Sequence, residues 1–191
     1  EVMSVNGPDR GAEDLTAEER DEAAKTVYLK RQGVLGAARA HLWMLCTRPL
    51  AWLGGLAFAA SLAGSDARRL VYMFFYFVEA VIVGQWMSRR GRTHLHVHFA
   101  TPASTVGLIA KRMFPIGYSL TVHGPDEFYD APGYRLSQKI AGADFVCCIG
   151  YYARSQLMKL SPPDQWDKFE ISPLGVDLER FDPAPFDDHP D

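Results

Sequence analysis

Four segments of the sequence place chemically useful side chains or glycine at the points where predicted strands end. In a parallel α/β sheet, ligands bind outside the carboxyl ends of the strands, so such positions are where a binding site is expected. The sequence therefore predicts a site built from several strand ends, and these are His98-Phe99-Ala100-Thr101, His123-Gly124-Pro125-Asp126, Gly150-Tyr151 and Leu174-Gly175-Val176-Asp177.

His123 is the best placed of these residues for chemistry. It follows an apolar, β-rich run and precedes a Gly-Pro turn, so its imidazole can lie at the edge of a cleft and donate or accept a hydrogen bond. The alternative is that His123 only holds the turn. Asp126 and Glu127 could act as a general base, and they could equally cap the turn that follows.

Three histidines, His94, His96 and His98, alternate along one predicted strand. They share a face but span roughly 13 Å from end to end, too far for one metal ion. We expect no metal site: His94 and His96 are predicted to be hydrogen-bonded near the sheet rim, and His98 to contact a ligand at the strand exit. Thr101 before Pro102 predicts a helix N-terminus that can face an anion.

Strands and helices alternate along the second half of the chain. The pattern predicts an α/β fold with a Rossmann-like, doubly wound parallel sheet. Pro49 is expected to separate two helices within 34–62, and Pro115 to end a helix. The predicted strands are 26–29, 94–99, 118–122, 145–149 and 169–171, and the later predicted helices lie near 102–112, 135–141 and 152–160.

Composition indicates one folded domain in a reducing compartment. The 191 residues are 48% hydrophobic and carry a net charge of −3, and three cysteines have no paired spacing. No basic segment followed by an apolar run marks a secretory signal. We therefore expect a cytoplasmic protein.

The middle of the chain is basic and apolar. Residues 70–87 form an apolar stretch at the length threshold for a membrane span, interrupted by Glu79. A carboxylate there favours a packed helix of a soluble domain over a membrane-integral protein. Basic residues around these helices predict peripheral contact with an anionic membrane, while a solvated helix face is the simpler alternative.

Several segments in order resemble the family 4 retaining glycosyltransferases, especially the bacterial exopolysaccharide and colanic-acid type. The resemblance spans most of the chain. The segments that carry it are His96-Val97-His98-Phe99-Ala100, Tyr118-Ser119-Leu120-Thr121-Val122-His123-Gly124-Pro125-Asp126, Ala143-Asp144-Phe145-Val146 with Ile149, and Ser172-Pro173-Leu174-Gly175-Val176-Asp177-Leu178-Glu179-Arg180-Phe181-Asp182-Pro183.

The resemblance implies the amino-terminal half of a GT-B fold, in which two Rossmann-like domains face a cleft. Residues 1–172 would be the acceptor-side domain without its first strand and helix, and residues 173–191 a crossover toward a donor-binding domain. His123 would be the catalytic residue that contacts the transferred sugar. The implied substrate-binding residues are His98, Phe99, Thr101, Gly124, Asp126, Gly175, Val176 and Asp177.

The implied activity is hexosyl transfer with retention, from a nucleotide-sugar donor to a glycan or lipid-linked acceptor. The nucleotide sugar is a co-substrate, so no cofactor is expected. We also expect no bound metal ion and no nucleic acid partner. Residues 1–191 alone are expected to be inactive, and the protein to work in the cytoplasm at the inner face of the membrane. The alternatives are a non-catalytic nucleotide- or sugar-binding module and a membrane-integral protein.

Overall fold

Six strands of the chain pair in parallel and form two sheets in the computed structural model, which describes residues 1–175. A two-stranded sheet joins the first two strands, and a four-stranded sheet has the order β3-β4-β5-β6. The strands are β1 Met3–Ser4, β2 Val27–Tyr28, β3 His94–His98, β4 Gly117–Val122, β5 Phe145–Cys148 and β6 Phe169–Ile171.

The helices begin and end at the residues that local chemistry favours. A capping box of Thr16 and Glu19 starts α1, Pro49 starts α3, and the carboxylate of Asp66 accepts two backbone N–H groups at the start of α4. Gly91 ends α4 with a φ of 63°. The helices are α1 Ala17–Lys25, α2 Gly33–Thr47, α3 Pro49–Ala63, α4 Ala67–Arg90, α5 Pro102–Met113, α6 Asp126–Tyr129, α7 Leu136–Gly142 and α8 Tyr151–Lys159.

The four-stranded sheet confirms the predicted α/β fold class. Val97 pairs with Leu120, and Leu120 pairs with Val146 on its other side. Leu120 and Val146 are fully buried, as is Tyr118 on the same central strand, whose hydroxyl donates to the Ser104 carbonyl of α5. The connections β3-α5-β4 and β5-α8-β6 therefore build a Rossmann-like parallel sheet in which helices connect successive strands.

An open slot separates the two sheets. A cavity of about 780 Å³ is lined on one side by residues 1–6 and on the other by residues 94–98. The N–H of Gly117 donates to Thr93 and that of Phe99 donates to Thr121, so the odd-numbered residues of β3 direct their backbone groups toward β4. By alternation, the backbone groups of His94, His96 and His98 face the slot.

Helices α2, α3 and α4 form a layer that packs on α5. The helices approach closely where glycine replaces a larger side chain: a Cβ on Gly84 of α4 would lie 2.0 Å from the Phe114 ring, and one on Gly55 of α3 would lie 2.2 Å from the Met113 sulfur. This layer buries Phe77, Val81 and Met87. Among residues 1–175, α4 is the one helix long and apolar enough to cross a membrane, and half of its apolar stretch is buried within the protein.

Three predicted strands are shorter in the structure. The strand predicted over 94–99 ends at His98. The strand predicted over 26–29 contains only Val27 and Tyr28, because Leu29 turns inward, is 3% exposed and begins a one-turn 3₁₀ helix. The strand predicted over 145–149 ends at Cys148. The predicted site residues Val176 and Asp177 lie outside the described residues.

Candidate functional site

The ends of β3 and β4 bring His98 and His123 together. The strands pair in parallel, so both histidines stand at the same edge of the sheet. The Nδ1 of His98 lies 3.3 Å from the Nε2 of His123, at hydrogen-bonding distance. One nitrogen must donate while the other accepts, so this hydrogen bond requires that the two facing nitrogens carry a single proton between them.

Phe99 completes this pair in an unusual backbone conformation. Its φ is 68°, which is uncommon for a bulky residue, and its N–H donates to the Thr121 carbonyl at 2.9 Å. The ring stacks on His123 with 4.2 Å between ring centroids, and it is 48% exposed. An aromatic ring is thus held at the surface beside two imidazoles by a strained main chain, a kind of strain that is concentrated at binding sites.

The remaining histidines of β3, His94 and His96, form hydrogen bonds with hydroxyl groups of β4, as the sequence predicted. The Nε2 of His94 and the Nδ1 of His96 both contact the Ser119 Oγ at 2.7 Å, and the Nε2 of His96 contacts the Thr121 Oγ1 at 2.8 Å. Burial, together with the neighbouring histidines, lowers the pKa of His96. Within residues 1–175 no group of three or more His, Cys, Asp or Glu side chains could hold a metal ion.

Glu127 acts as a cap and is not placed as a general base. Its side chain is buried, with 2% of the residue exposed. One carboxylate oxygen accepts the N–H groups of His123 at 2.5 Å and Gly124 at 2.9 Å, and the other accepts the N–H of Ala100. A buried carboxylate that accepts three backbone N–H groups holds the main chain in place, so the capping alternative is the one that the structure favours.

Lys139 on α7 is a site residue that the sequence reasoning missed. Its side chain is fully buried, and the Nζ donates to the carbonyls of Ala100 and Thr101 at 2.8 Å each. Burial lowers the pKa of Lys139 to about 7, against the opposing effect of Glu127. One signal could have found it: Leu136, Lys139 and Ile140 follow helical spacing, which places the lysine on an otherwise buried apolar face.

The other predicted site residues occupy different positions around this cluster. Thr101 stands at the N-cap of α5, but its side chain caps nothing, while its carbonyl accepts from Ser104 as well as Lys139. Gly124 is held by Glu127 directly after His123. Asp126 is exposed at the start of α6, and Gly175 is exposed beyond β6.

This arrangement suits a polar ligand that has one apolar face. Phe99 offers an exposed ring, and His98 and His123 offer hydrogen-bonding nitrogens beside it. A sugar ring combines C–H faces with hydroxyl groups and is a ligand of this kind. Because Glu127 and Lys139 hold the neighbouring main chain, the side chains of His98, Phe99 and His123 are attached to a fixed backbone.

No protein-family model matches the chain. Among curated proteins, 92 residues, or 46% of the chain, are 27% identical to TuaC of Bacillus subtilis (strain 168), which is named as a teichuronic acid biosynthesis glycosyltransferase. The match covers 23% of the length of that relative. The chain is thus a Rossmann-like α/β protein that is similar, over about half of its length, to a quarter of a protein named as a glycosyltransferase.

Proposed function

We propose that the chain is the acceptor-side domain of a retaining glycosyltransferase of the family 4 type, a hexosyltransferase that uses a nucleotide-sugar donor. The single observation that carries the proposal is the cluster of His98, Phe99 and His123 at the carboxyl ends of two paired parallel strands. The similarity to TuaC supports it, because that relative is named as a glycosyltransferase.

In this proposal His123 interacts with the sugar that is transferred. Its ring is held by the Phe99 stack and by the hydrogen bond with His98, so the dipole and proton of the imidazole have a fixed direction. Fixed dipoles aimed at a centre where charge develops lower the barrier without reorganising during the reaction. The positive charge that spreads over the sugar ring during glycosyl transfer is such a centre.

The proposed enzyme has the GT-B architecture, with a donor-binding domain reached through residues 173–191. We further propose that one more parallel strand of the same protein fills the slot between β1 and β3. The backbone groups of His94, His96 and His98 face that slot, and residues 1–6, which include β1, line its other side. A strand placed there would join the two sheets into one and pair both open edges.

The acceptor is proposed to be a glycan or a lipid-linked sugar of exopolysaccharide synthesis, reached at the inner face of the cell membrane. Eighteen large apolar residues are exposed on the described chain, and eleven of them lie on α2, α3 and α4. This exposed apolar surface consists of Val34, Leu35, Leu42, Leu45, Leu50, Leu53, Leu70, Val71, Tyr72, Phe74 and Phe75. Such a concentration marks a surface that contacts a protein or a membrane.

Charge favours an anionic membrane as the partner of this surface. Exposed Arg31, Arg39 and Arg68 lie on or next to the same helices, whereas residues 33–90 contain only Asp66 and Glu79 as acids. Asp66 is engaged in capping α4 and in an ion pair with Arg69 at 3.5 Å, and burial raises the pKa of Glu79. An apolar surface with a basic rim binds at the interface of anionic lipids.

The proposal is tested with the full-length protein and a panel of radiolabelled nucleotide sugars, with membrane lipid extract as the acceptor source. We expect transfer of one sugar to the lipid fraction, with the anomeric configuration of the donor retained in the product. The product configuration is read by NMR spectroscopy. Binding of a nucleotide sugar without transfer would favour a non-catalytic module, and a product of inverted configuration would exclude the retaining mechanism.

A further inference from the structure

Glu127 and Lys139 both form hydrogen bonds with the main chain of the same residue, Ala100. One carboxylate oxygen of Glu127 accepts the N–H of Ala100, and the Nζ of Lys139 donates to its carbonyl at 2.8 Å. Both side chains are buried, Glu127 with 2% of the residue exposed and Lys139 with none. A carboxylate and an amine are therefore enclosed in the protein, and they bind the two main-chain polar groups of one residue.

Each of the two side chains also reaches a second part of the site. Glu127 holds the N–H groups of His123 and Gly124 at the end of β4, and Lys139 holds the carbonyl of Thr101 at 2.8 Å where α5 begins. The exits of β3 and β4 are thus connected through one carboxylate. Hydrogen bonds to a charged partner are shorter and stronger than neutral ones, so this connection is stiff.

The residues that are held are the immediate neighbours of the exposed cluster. Ala100 follows Phe99, whose φ of 68° must be maintained by its surroundings, and the His123 N–H belongs to the residue on which the Phe99 ring stacks. The carboxylate of Glu127 and the amine of Lys139 are buried, so they are not placed to contact a ligand directly. Their effect on a ligand at the cluster is exerted through the main chain.

We infer that Glu127 and Lys139 are positioning residues of the proposed glycosyl-transfer site, which fix the Phe99–His123 stack by locking the main chain at the ends of β3 and β4. The inference rests on the proposed function only for its effect on catalysis. The effect on geometry can be measured on the chain without any substrate. A failure of the geometric inference can therefore be distinguished from a failure of the proposed function.

The test variant for Glu127 is Glu127→Gln, which keeps the shape and removes one acceptor oxygen. Glutamine has a single acceptor oxygen, and its NH₂ group would face a backbone N–H, so it cannot serve all three N–H groups. Lys139→Met is the second variant, because methionine keeps the length of the chain and removes the donor. Glu170→Gln on β6 is the matched control, since Glu170 is an exposed glutamate on another strand of the same sheet.

The geometric readout is the NMR spectrum of the 191-residue chain. A ring stacked at 4.2 Å shields the His123 ring protons, so the unmodified chain should show them shifted upfield, and Phe99→Ala should remove that shift. We expect Glu127→Gln and Lys139→Met to reduce the shift and to move the amide signals of Ala100 and Gly124, while Glu170→Gln leaves all of them unchanged. Folded variants with unaltered His123 signals would overturn the inference.

Fold and function are separated by two further measurements. Cooperative thermal unfolding must persist in at least one of the two variants. If both variants lose it, Glu127 and Lys139 support the fold as a whole, and the positioning role is overturned.

In the full-length enzyme we expect kcat to fall up to about 100-fold in Glu127→Gln with a smaller change in KM for the donor, as for a misplaced catalytic group. An equal loss in Glu170→Gln, or a rise in KM alone, would contradict the role. Loss of the NMR shift in an enzyme without transferase activity would uphold the geometric inference and refute the proposed function.

Discussion

The rings of Phe99 and His123 stack with 4.2 Å between centroids and 28° between planes, although 24 positions separate them in the sequence. The contact forms because β3 and β4 are adjacent and in register, with His98 opposite Thr121. It places the residue predicted to act in catalysis against an aromatic ring that stays half exposed. The two side chains lie on different strands, so each can be replaced separately to test the proposed site.

Replacing His123 by alanine should reduce turnover in the full-length enzyme far more than it weakens donor binding. A preorganised contact that acts in the transition state is typically worth about 10² to 10³ in rate. The measurement is kcat and KM for the nucleotide sugar, with unfolding followed by circular dichroism. His94→Ala, at the other end of the same histidine row, should retain near-normal kcat. Turnover near the unmodified level in His123→Ala would assign this residue to the turn alone.

Phe99 should be a position where glycine is more stable than alanine. Both substitutions remove the ring, but only glycine adopts a φ of 68° without strain. We expect Phe99→Gly to exceed Phe99→Ala in free energy of unfolding by about 1 kcal/mol, the usual penalty for this conformation. Urea unfolding of both variants measures the difference. A more stable alanine variant would show that the backbone relaxes to negative φ once the ring is gone.

The buried amine of Lys139 should make stability rise with pH above neutrality. Its pKa in the folded protein is about 7, below the ordinary 10.5, so between these values the unfolded chain binds a proton that the folded chain lacks. Raising the pH across this window therefore favours the folded state, by at most about 1.4 kcal/mol per pH unit for one proton. Below pH 7 both states are protonated and this pH dependence ends.

The check compares the unmodified chain with Lys139→Met in urea at several pH values from 6 to 10. The difference in free energy of unfolding between the two should shift in favour of the unmodified chain as the pH rises. Methionine has no titrating group, so the ionisable residues that do not interact with Lys139 cancel in the comparison. Parallel curves for the two proteins would show that Lys139 stays charged in the fold and that the lowered pKa is wrong.

Two glycines of the helical layer should respond in opposite directions to alanine. A Cβ on Gly84 would collide with the Phe114 ring at 2.0 Å, whereas nothing lies within 4 Å of a Cβ on Gly54. We expect Gly84→Ala to lower the free energy of unfolding by about 1–3 kcal/mol through overpacking. Gly54→Ala should raise it by about 0.5–1 kcal/mol through helix propensity. Thermal unfolding of both variants measures this, and equal responses would contradict the packing of α4 on α5.

Membrane binding should require both the apolar surface of α2–α4 and anionic lipid. We expect the chain to cosediment with vesicles that contain phosphatidylglycerol and to bind phosphatidylcholine vesicles weakly. The double variant Phe74→Ser with Phe75→Ser should lose most of this binding, because both rings are more than half exposed. Tyr129→Ser, an exposed aromatic outside this surface, is the control. Equal binding to neutral and anionic vesicles would contradict the charge argument, and resistance to carbonate extraction would indicate insertion of α4.

Local chemistry in the sequence was sufficient to predict most elements and their order. Pro49 and Pro115 limit helices because proline cannot continue them, and the alternation of strands and helices fixes a parallel sheet, with Val97, Leu120 and Val146 on neighbouring strands. The strand exits at His98 and His123 follow from that order. The hydrogen bonding of His94 and His96 near the sheet rim was also predicted from the sequence, and both rings contact hydroxyl groups of β4.

The support beneath the site was decided by the tertiary structure alone. Glu127 and Lys139 are charged residues in polar-looking segments, and their burial depends on contacts with Ala100, which lies 27 and 39 positions earlier in the chain. The left-handed backbone of Phe99 likewise has no local signal, because only the loop between β3 and α5 imposes it. The sequence thus determined which strand ends meet, because local steric preferences set the helix limits and the alternation of strands and helices. Which groups hold those ends depends on three-dimensional packing between distant residues. The helical spacing of Leu136, Lys139 and Ile140 places the lysine on an apolar face, but it does not indicate which main-chain groups the lysine contacts.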